Sequence, residues 1–286
     1  MILARLEALN REGLRIYPQV TCSPLTSTFD LYGAFVFFRF PVWKRVLEAS
    51  PSPVARASSR IPRSAPSSGP PPAAPRSSSA TPLPSAWRAL IAPSIRAWSD
   101  APSAKCAAAV GKDPVDAFFD LALADDLKTR FTVAIMNTDA AAVAEIFTHP
   151  IALIGLADAG AHLTLFCEAG QTSRLLGHWV RERKALSLEE AVRRITSMPA
   201  DVFGFADRGR LRPGLAADLV VFDAETIAAG EPELIHDLPD GGPRLVQRAR
   251  GIAWSFVNGG AVVQDGRMPE SSEPRGRGRV LRPAQV

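Results

Sequence analysis

The stretch LIGLADAGAHLTLF, residues Leu153 to Phe166, decides how the rest of the chain is interpreted. Its apolar start predicts a buried strand, and Asp158 follows that strand between two alanines. A carboxylate beside a buried strand loses hydration, so it needs a partner such as a metal ion, a transferable proton or the backbone of a turn. The first two partners would give Asp158 a chemical role. The third would leave it only shaping a turn with Gly160.

Helices and strands alternate on the N-terminal side of this stretch. Asp113 is placed to cap a helix, and RFTVAIMN (130–137) follows with the alternation of a strand. Asp139 opens the next helix, which ends at His149 before the apolar run IALIGL (151–156). A continuously apolar strand is typical of a parallel sheet with both faces covered. The pattern therefore predicts an α/β fold.

Two further helices are predicted to cover the sheet beyond Asp158. SRLLGHWVRERKA (173–185) places its large apolar side chains on one helical face. SLEEAVRRI (187–195) begins with the capping-box pattern of Ser187 and Glu190, whose side chains can satisfy the first free N–H groups of a helix. Both helices fit the alternating pattern.

Short β-strands replace this pattern beyond Gly209. GRLRPGLAADLVVFD (209–223) predicts a turn followed by a strand. The runs on either side of Asn258-Gly259 predict a β-hairpin, because this dipeptide favours a two-residue turn. His236 falls in a predicted loop of the same unit. A small β unit therefore follows the α/β part.

Residues 51–104 interrupt the organisation of the chain. They hold nearly half of its 25 prolines and a single acidic residue, Asp100, so we expect them to be disordered. Their PxxP pieces are of the kind that proline-binding domains recognise, which gives an adaptor as one possible function. Two other interpretations stay open: a plain linker, or the product of a GC-rich gene read out of frame.

Composition argues against several classes of protein. The chain has 286 residues, 47% of them apolar, which suffices for a core, and it has no uninterrupted apolar run of the ~18 residues that span a bilayer. Charges at Arg5 and Glu7 break any signal peptide, so a cytoplasmic protein without a membrane partner is expected. Three scattered cysteines predict inert thiols. The net charge of +4 sits in segments without interleaved aromatic residues, so no nucleic-acid partner is expected.

Several motifs together resemble the amidohydrolase superfamily. GRLRPGLAADLVVFD and FVNGGAVVQDGR (256–267) are similar to the C-terminal β-sandwich signature of that superfamily. Three other stretches resemble the branch that contains the N-acyl-D-amino-acid deacylases, or D-aminoacylases. They are HPIALIGLADAGAHL (149–163), LLGHWVRERKALSLEEAVRRITSMPADVFGF (175–205) and GKDPVDAFFDLAL (111–123). The likeness covers about residues 1–50 and 105–270.

The resemblance implies a (β/α)₈ TIM-type barrel that holds one or two zinc ions and hydrolyses N-acyl amino acids. In the family, an Asp at the end of the last barrel strand binds metal or takes a proton from metal-bound water, and Asp158 matches it. Active sites of such barrels lie at the carboxyl ends of the strands. His162 and Arg174 are candidate substrate-binding residues, Arg174 because a guanidinium pairs well with a carboxylate. A structural role stays open for each, and His149 and His178 are predicted to be structural or exposed.

The sequence departs from the family in its metal ligands. The family carries a His-x-His pair, a bridging Cys or carboxylated Lys, and two further histidines, whereas the four histidines here include no His-x-His pair. The ordered stretches 1–50 and 105–208 are together shorter than the ~200–250 residues of a complete barrel. We therefore expect an incomplete barrel in these stretches, a β-sandwich segment over 209–270 and a flexible tail over 271–286.

Two functions follow from this departure. The first is a truncated and inactive form of a metal-dependent deacylase that breaks non-peptide C–N bonds. The second is a non-catalytic remnant, or a complementing partner for a separate N-terminal half.

Overall fold

A computed structural model describes residues 2–31, 111, 113–125, 127–155, 157–268 and 276–282. The segment 51–104 and most of the predicted tail lie outside these residues, so both expectations of disorder stay predictions. The chain divides into two compact units, Met1–Ser27 with Ala134–Val286 and Thr28–Val133. Among the described residues, no helix has both the length and the apolar content needed to cross a membrane.

The unit Thr28–Val133 contains a helix that begins where the sequence predicts. Helix α2, Pro114–Ala124, starts at the proline after Asp113, and Ala117 N donates to the Asp113 carbonyl. (Helix α1, Ile2–Arg11, precedes it in the chain.) The buried ring of Phe118 packs on Phe131 with 4.3 Å between ring centroids. Aromatic packing therefore fixes this helix in place.

Two strands flank α2 in the chain and form a two-stranded sheet. They are β2, Leu25–Phe29, and β3, Phe131–Met136. The hydroxyl oxygens of Thr28 and Thr132 lie 2.9 Å apart. The strand predicted from RFTVAIMN is confirmed.

A parallel pair of short strands lies in the larger unit. Strand β1, Gln19–Val20, pairs with β4, Leu153–Ile154, so that Gln19 faces Leu153. The sequence predicts a longer strand over residues 151–156. Pro18 has no N–H for the ladder, and the Ala152 N–H donates to the His149 carbonyl in the turn before β4. Regular pairing is therefore limited to two residues in each strand.

Helices enclose the main core of this unit. They are α3, Ala140–Thr148; α4, Gln171–Arg174; the π-helix Leu175–Glu182 that continues it; α5, Leu188–Ile195; and α6, Ser197–Phe203. The buried cluster consists of Cys22, Val143, Phe147, Leu175, Leu176, Trp179, Ala191 and Ile227. The apolar face predicted for residues 173–185 is thus confirmed as a core-facing surface. The mixed helices and strands form an α/β fold.

The start of α5 follows half of the predicted capping box. Ser187 Oγ accepts a hydrogen bond from Glu190 N, as predicted. The Glu190 carboxylate instead accepts from the guanidinium groups of Arg193 and Arg194. A charged donor competes better for this carboxylate than a neutral backbone N–H.

The β unit begins with a three-stranded antiparallel sheet in the order β5-β8-β9. Its strands are β5, Leu219–Phe222; β8, Ile252–Val257; and β9, Gly260–Gln264. Asn258 and Gly259 join β8 to β9 with φ values of 47° and 80°. Left-handed backbone at both central residues is the geometry of a two-residue hairpin turn, so the predicted hairpin is confirmed.

A second hairpin was not predicted. Strands β6, Ala228–Leu238, and β7, Gly242–Arg250, pair antiparallel, and His236 lies in β6. The prediction that His236 lies in a loop is therefore wrong. Cross-strand ion pairs hold this hairpin, among them Arg244 with Asp237 at 2.6 Å. Charged residues replace the alternating apolar residues by which a strand is recognised.

A cavity at the carboxyl ends of the strands

A small cavity of about 50 Å³ lies where three strands end. Thr21 follows β1, Asn137 follows β3 and Asp158 comes shortly after β4. The lining residues are Thr21, Pro24, Leu25, Met136, Asn137, Ala157, Asp158 and Glu168, and we call this space the rim cavity. Its volume suits a water molecule or one small functional group.

Asp158 takes part in both a turn and the rim cavity. Its backbone is left-handed, with φ at 47°, and its carbonyl accepts a hydrogen bond from Ala161 N at 3.3 Å. Asp158 is exposed and is among the residues that line the rim cavity. Asp is one of the few residues besides Gly that adopt this backbone readily. The turn therefore places Asp158 at the strand ends.

Glu168 is a second carboxylate on the rim cavity that sequence reasoning missed. Its Oε1 accepts hydrogen bonds from the Thr26 N–H at 2.9 Å and from Thr26 Oγ1 at 2.6 Å. These bonds tie the loop before α4 to the start of β2. No local pattern reveals the contact, because 142 residues separate the two partners.

A buried arginine holds the backbone that leads to Asp158. Arg194 on α5 is only 4% exposed, and its guanidinium donates to the carbonyls of Phe147, Thr148 and His149. Glu190 accepts from its Nε at 2.7 Å. Carbonyls at a helix C-terminus lack intrahelical partners, so Arg194 caps α3 immediately before β4. Sequence reasoning placed Arg194 on a covering helix without this role.

The other predicted site residues lie away from the lining of the rim cavity. His162 is exposed, and its ring centroid lies 5.6 Å from that of Phe166. Arg174 is half-buried on α4, and its buried Nε has no hydrogen-bond partner among the described residues. Neither residue is among the described residues that line the rim cavity. Their substrate-binding roles stay predictions.

The remaining histidines are dispersed over the molecule. His149 is half-buried at the end of α3. His178 Nδ1 lies 2.9 Å from Glu182 Oε2 on the π-helix, and this contact lowers the pKa of the Glu182 carboxyl. His236 Nδ1 lies 3.2 Å from the Gly241 carbonyl oxygen. The structural or exposed character predicted for His149 and His178 agrees with these positions.

The donor set of the described residues does not fit a zinc ion. Zinc sites in proteins use three or four nitrogen, sulfur or oxygen ligands. All four histidines lie in the described part of the chain, and none lines the rim cavity. Two carboxylates remain there, those of Asp158 and Glu168. Within the described ranges, no three His, Cys, Asp or Glu side chains are grouped so that they could hold a metal ion.

The described cysteines are not nucleophiles. Cys22 is fully buried, and its carbonyl accepts a hydrogen bond from Trp179 Nε1 at 2.6 Å. Burial raises the pKa of the Cys22 thiol to about 12. Burial also raises the pKa of Cys167. Since the thiolate is the reactive form, both side chains are inert near neutral pH, as predicted.

Comparisons with known proteins agree with the motifs. The sequence profile described as the amidohydrolase family matches residues 82–264. An N-acyl-D-glutamate deacylase of Alcaligenes xylosoxydans xylosoxydans is 40% identical over 144 residues, which cover 49% of this chain and 26% of that enzyme. A D-aminoacylase of the same organism is 40% identical over 96 residues, or 34% of this chain and 18% of the enzyme.

A solved structure is also similar in part. The N-acyl-D-glutamate deacylase of Bordetella bronchiseptica, complexed with zinc and a phosphonate inhibitor, is 35% identical with a TM-score of 0.36. The match covers 58% of this chain and 33% of that structure. The chain thus spans about a fifth to a third of the length of these relatives.

Proposed function

The chain belongs to the amidohydrolase family, and from this premise we propose that its rim cavity takes part in hydrolysing the amide bond of an N-acyl-D-amino acid. Relatives that share 40% identity with it over their matched parts are deacylases of this substrate class. The single observation that supports the proposal best is the position of Asp158, which is among the residues that line a cavity at the ends of three strands.

Asp158 carries the proton in this proposal. Its carboxylate accepts a proton from the water that attacks the acyl carbon, and it then delivers that proton to the nitrogen as the C–N bond breaks. The products are a carboxylic acid and a free amino acid. The exposed carboxylate can exchange protons with water, while the turn fixes its backbone position.

The proposed fold is the later part of a (β/α)₈ barrel, formed by residues 1–50 and 105–208, with a β-sandwich segment over 209–270. The described residues do not fit zinc, so metal ligands come from polypeptide outside them. The rest of the sequence adds no histidine, because all four lie in the described ranges. We therefore propose that this chain is inactive alone and needs a complementing polypeptide.

A second candidate function is a non-catalytic remnant that only binds such a partner. The same donor set favours it, because the described residues contain no group of side chains that could hold a metal ion and yet keep their packing surfaces. The two candidates differ in one respect. Asp158 is needed for hydrolysis in the first and is dispensable in the second.

Complementation with a relative separates these candidates. The full chain is purified alone and also co-expressed with the part of the Alcaligenes N-acyl-D-glutamate deacylase that lies outside the matched region. Zinc content is measured by mass spectrometry, and hydrolysis of N-acetyl-D-glutamate is measured by amine release. We expect less than stoichiometric zinc and no hydrolysis for the chain alone, and hydrolysis for the complex.

The variant Asp158→Asn should lower the hydrolysis rate of the complex by a factor of about 10² or more, because it removes the proton carrier. Asp240→Asn is the matched control: Asp240 is also exposed and left-handed, with φ at 62°, but it lies between β6 and β7. Stoichiometric zinc and hydrolysis in the chain alone would contradict the need for a partner. A complex that forms without hydrolysis would favour the remnant.

A further inference from the structure

Asn137 shares an unusual backbone geometry with Asp158 on the same cavity. It is the first residue after β3, its φ is 59°, and it is among the residues that line the rim cavity. The other described non-glycine residues with positive φ are Leu127, Lys184, Asp240, Asn258 and Asp265, and the cavity lining contains none of them. Left-handed backbone is unfavourable for most residues and is concentrated at functional sites.

The side-chain amide of Asn137 is also free. It is exposed and makes no hydrogen bond to the described residues, unlike the chain's two other asparagines. Asn10 Nδ2 donates to the Ile16 carbonyl, and Asn258 Nδ2 donates to the Arg277 carbonyl. Those two amides hold the local backbone, whereas the Asn137 amide has its N–H groups available for a ligand.

The charged residues among those that line the rim cavity are acidic. The described residues that line it include the carboxylates of Asp158 and Glu168 and no Lys, Arg or His. A substrate carboxylate would be repelled there, whereas a neutral amide would not. About 50 Å³ holds an amide group but not a whole N-acyl amino acid.

We propose that the Asn137 side-chain N–H donates a hydrogen bond to the carbonyl oxygen of the substrate's amide bond, while the substrate carboxylate points out of the rim cavity. This assignment rests on the proposed function. The donor lies at the end of β3 and the proton carrier lies after β4. In this assignment the two groups bind the carbonyl oxygen and the nitrogen of one amide. A donor at that oxygen favours the negative charge that develops on it.

The test is a titration of the full chain followed by nuclear magnetic resonance. N-methylacetamide carries only the amide, acetate carries only the carboxylate, and N-acetyl-D-glutamate carries both. We expect N-methylacetamide and N-acetyl-D-glutamate to shift the side-chain NH₂ signals of Asn137, and acetate to leave them in place. Equal shifts with acetate, or no shift with either amide, would overturn the assignment.

Asn137→Gly separates a binding role from a conformational one. Glycine adopts the left-handed backbone without strain, so this variant removes the amide and keeps the turn. We expect its Kd for N-acetyl-D-glutamate to rise about five- to tenfold. Asn258→Gly is the control: it makes the same substitution at another asparagine with left-handed backbone, and it should leave the Kd for N-acetyl-D-glutamate unchanged.

An unchanged Kd in Asn137→Gly would overturn this inference and leave the proposed function standing. The proposed function is decided independently by hydrolysis in the complemented chain. If the complemented chain hydrolyses the substrate and Asn137→Gly keeps the wild-type Kd, residues other than Asn137 bind the amide group of the substrate.

Discussion

The helical region, which consists of α3 to α6 with the π-helix, and the β region over residues 219–264 are held together in different ways. The helical region buries large apolar side chains together with one arginine, as in the packing of Phe147, Leu175 and Trp179. In the β region, Ile227 is the one residue that is buried. Its strands rely on backbone pairing and on exposed ion pairs, each of which contributes about 0–1 kcal/mol.

The two regions meet tightly at Gly177 and loosely beside it. Gly177 on the π-helix lies against the Ile227 carbonyl, which also accepts a hydrogen bond from Arg181 Nη1 at 2.7 Å. Next to this contact is a cavity of about 480 Å³ with walls from both regions, including Leu176 and Phe222. Poor packing across a cavity forfeits dispersion energy, so we expect the β region to open before the helical region unfolds.

The largest effect is expected from Arg194→Leu. The variant removes the hydrogen bonds from the guanidinium to the carbonyls at the end of α3, among them those to Phe147 and Thr148. We expect the free energy of unfolding to fall by about 3–5 kcal/mol, measured by urea denaturation. Arg193→Ala removes a neighbouring, half-exposed pair with the same Glu190 and should cost less than about 1 kcal/mol. Equal losses would mean that the helical region does not depend on its buried arginine.

The next effect is expected at the contact between the two regions. In Gly177→Ala, the new Cβ would collide with the backbone carbonyl of Ile227, which cannot move without displacing β6. We expect a loss of about 1–3 kcal/mol in the free energy of unfolding. Gly155→Ala is the control, because its Cβ would make only an ordinary contact at 3.6 Å with Gln19. A neutral Gly177→Ala would show that this contact is not tight.

A pH effect specific to the helical region comes from Cys22. Its folded pKa is raised from 9.0 to about 12, so the unfolded chain loses the thiol proton first as the pH rises. The stability that this thiol contributes is complete below pH 9 and is lost between about pH 9 and pH 12. By about pH 10 the loss is about 1.4 kcal/mol. Comparing urea denaturation of wild type and Cys22→Ala isolates this slope, and identical slopes would contradict the burial of the thiol.

The elements that sequence predicts correctly are those with local determinants. Asp139 caps α3 through the N–H groups of Ala141 and Ala142, two and three residues away. Asn258 and Gly259 form the turn of their hairpin for the same reason. The hairpin β6–β7 was missed because its stabilising charges, such as Arg248 with Glu233, show no strand pattern in sequence.

The candidate site was predictable in only one residue. Asp158 stands out as an acid after an apolar strand, and the family resemblance gave it a role. Glu168 and Asn137 join it through tertiary contacts that no local pattern contains. Arg194 reaches the α3 carbonyls from 45 to 47 residues away, so its helix alone predicts a surface position.

The smallest effect is expected in the turn between β8 and β9, and it tests whether the β region opens alone. Gly259 has φ at 80° and open space where a Cβ would lie, so Gly259→Ala costs only backbone strain of about 1 kcal/mol. Gly259→Asn is the control and should cost less, since Asn tolerates this backbone. Hydrogen exchange should accelerate at the amides of β8 and β9 while those of α3 and α5 keep their rates. Faster hydrogen exchange in both regions would show that they unfold as one cooperative unit. Strain in an exposed turn can accelerate exchange in the helical core only if the two regions unfold together.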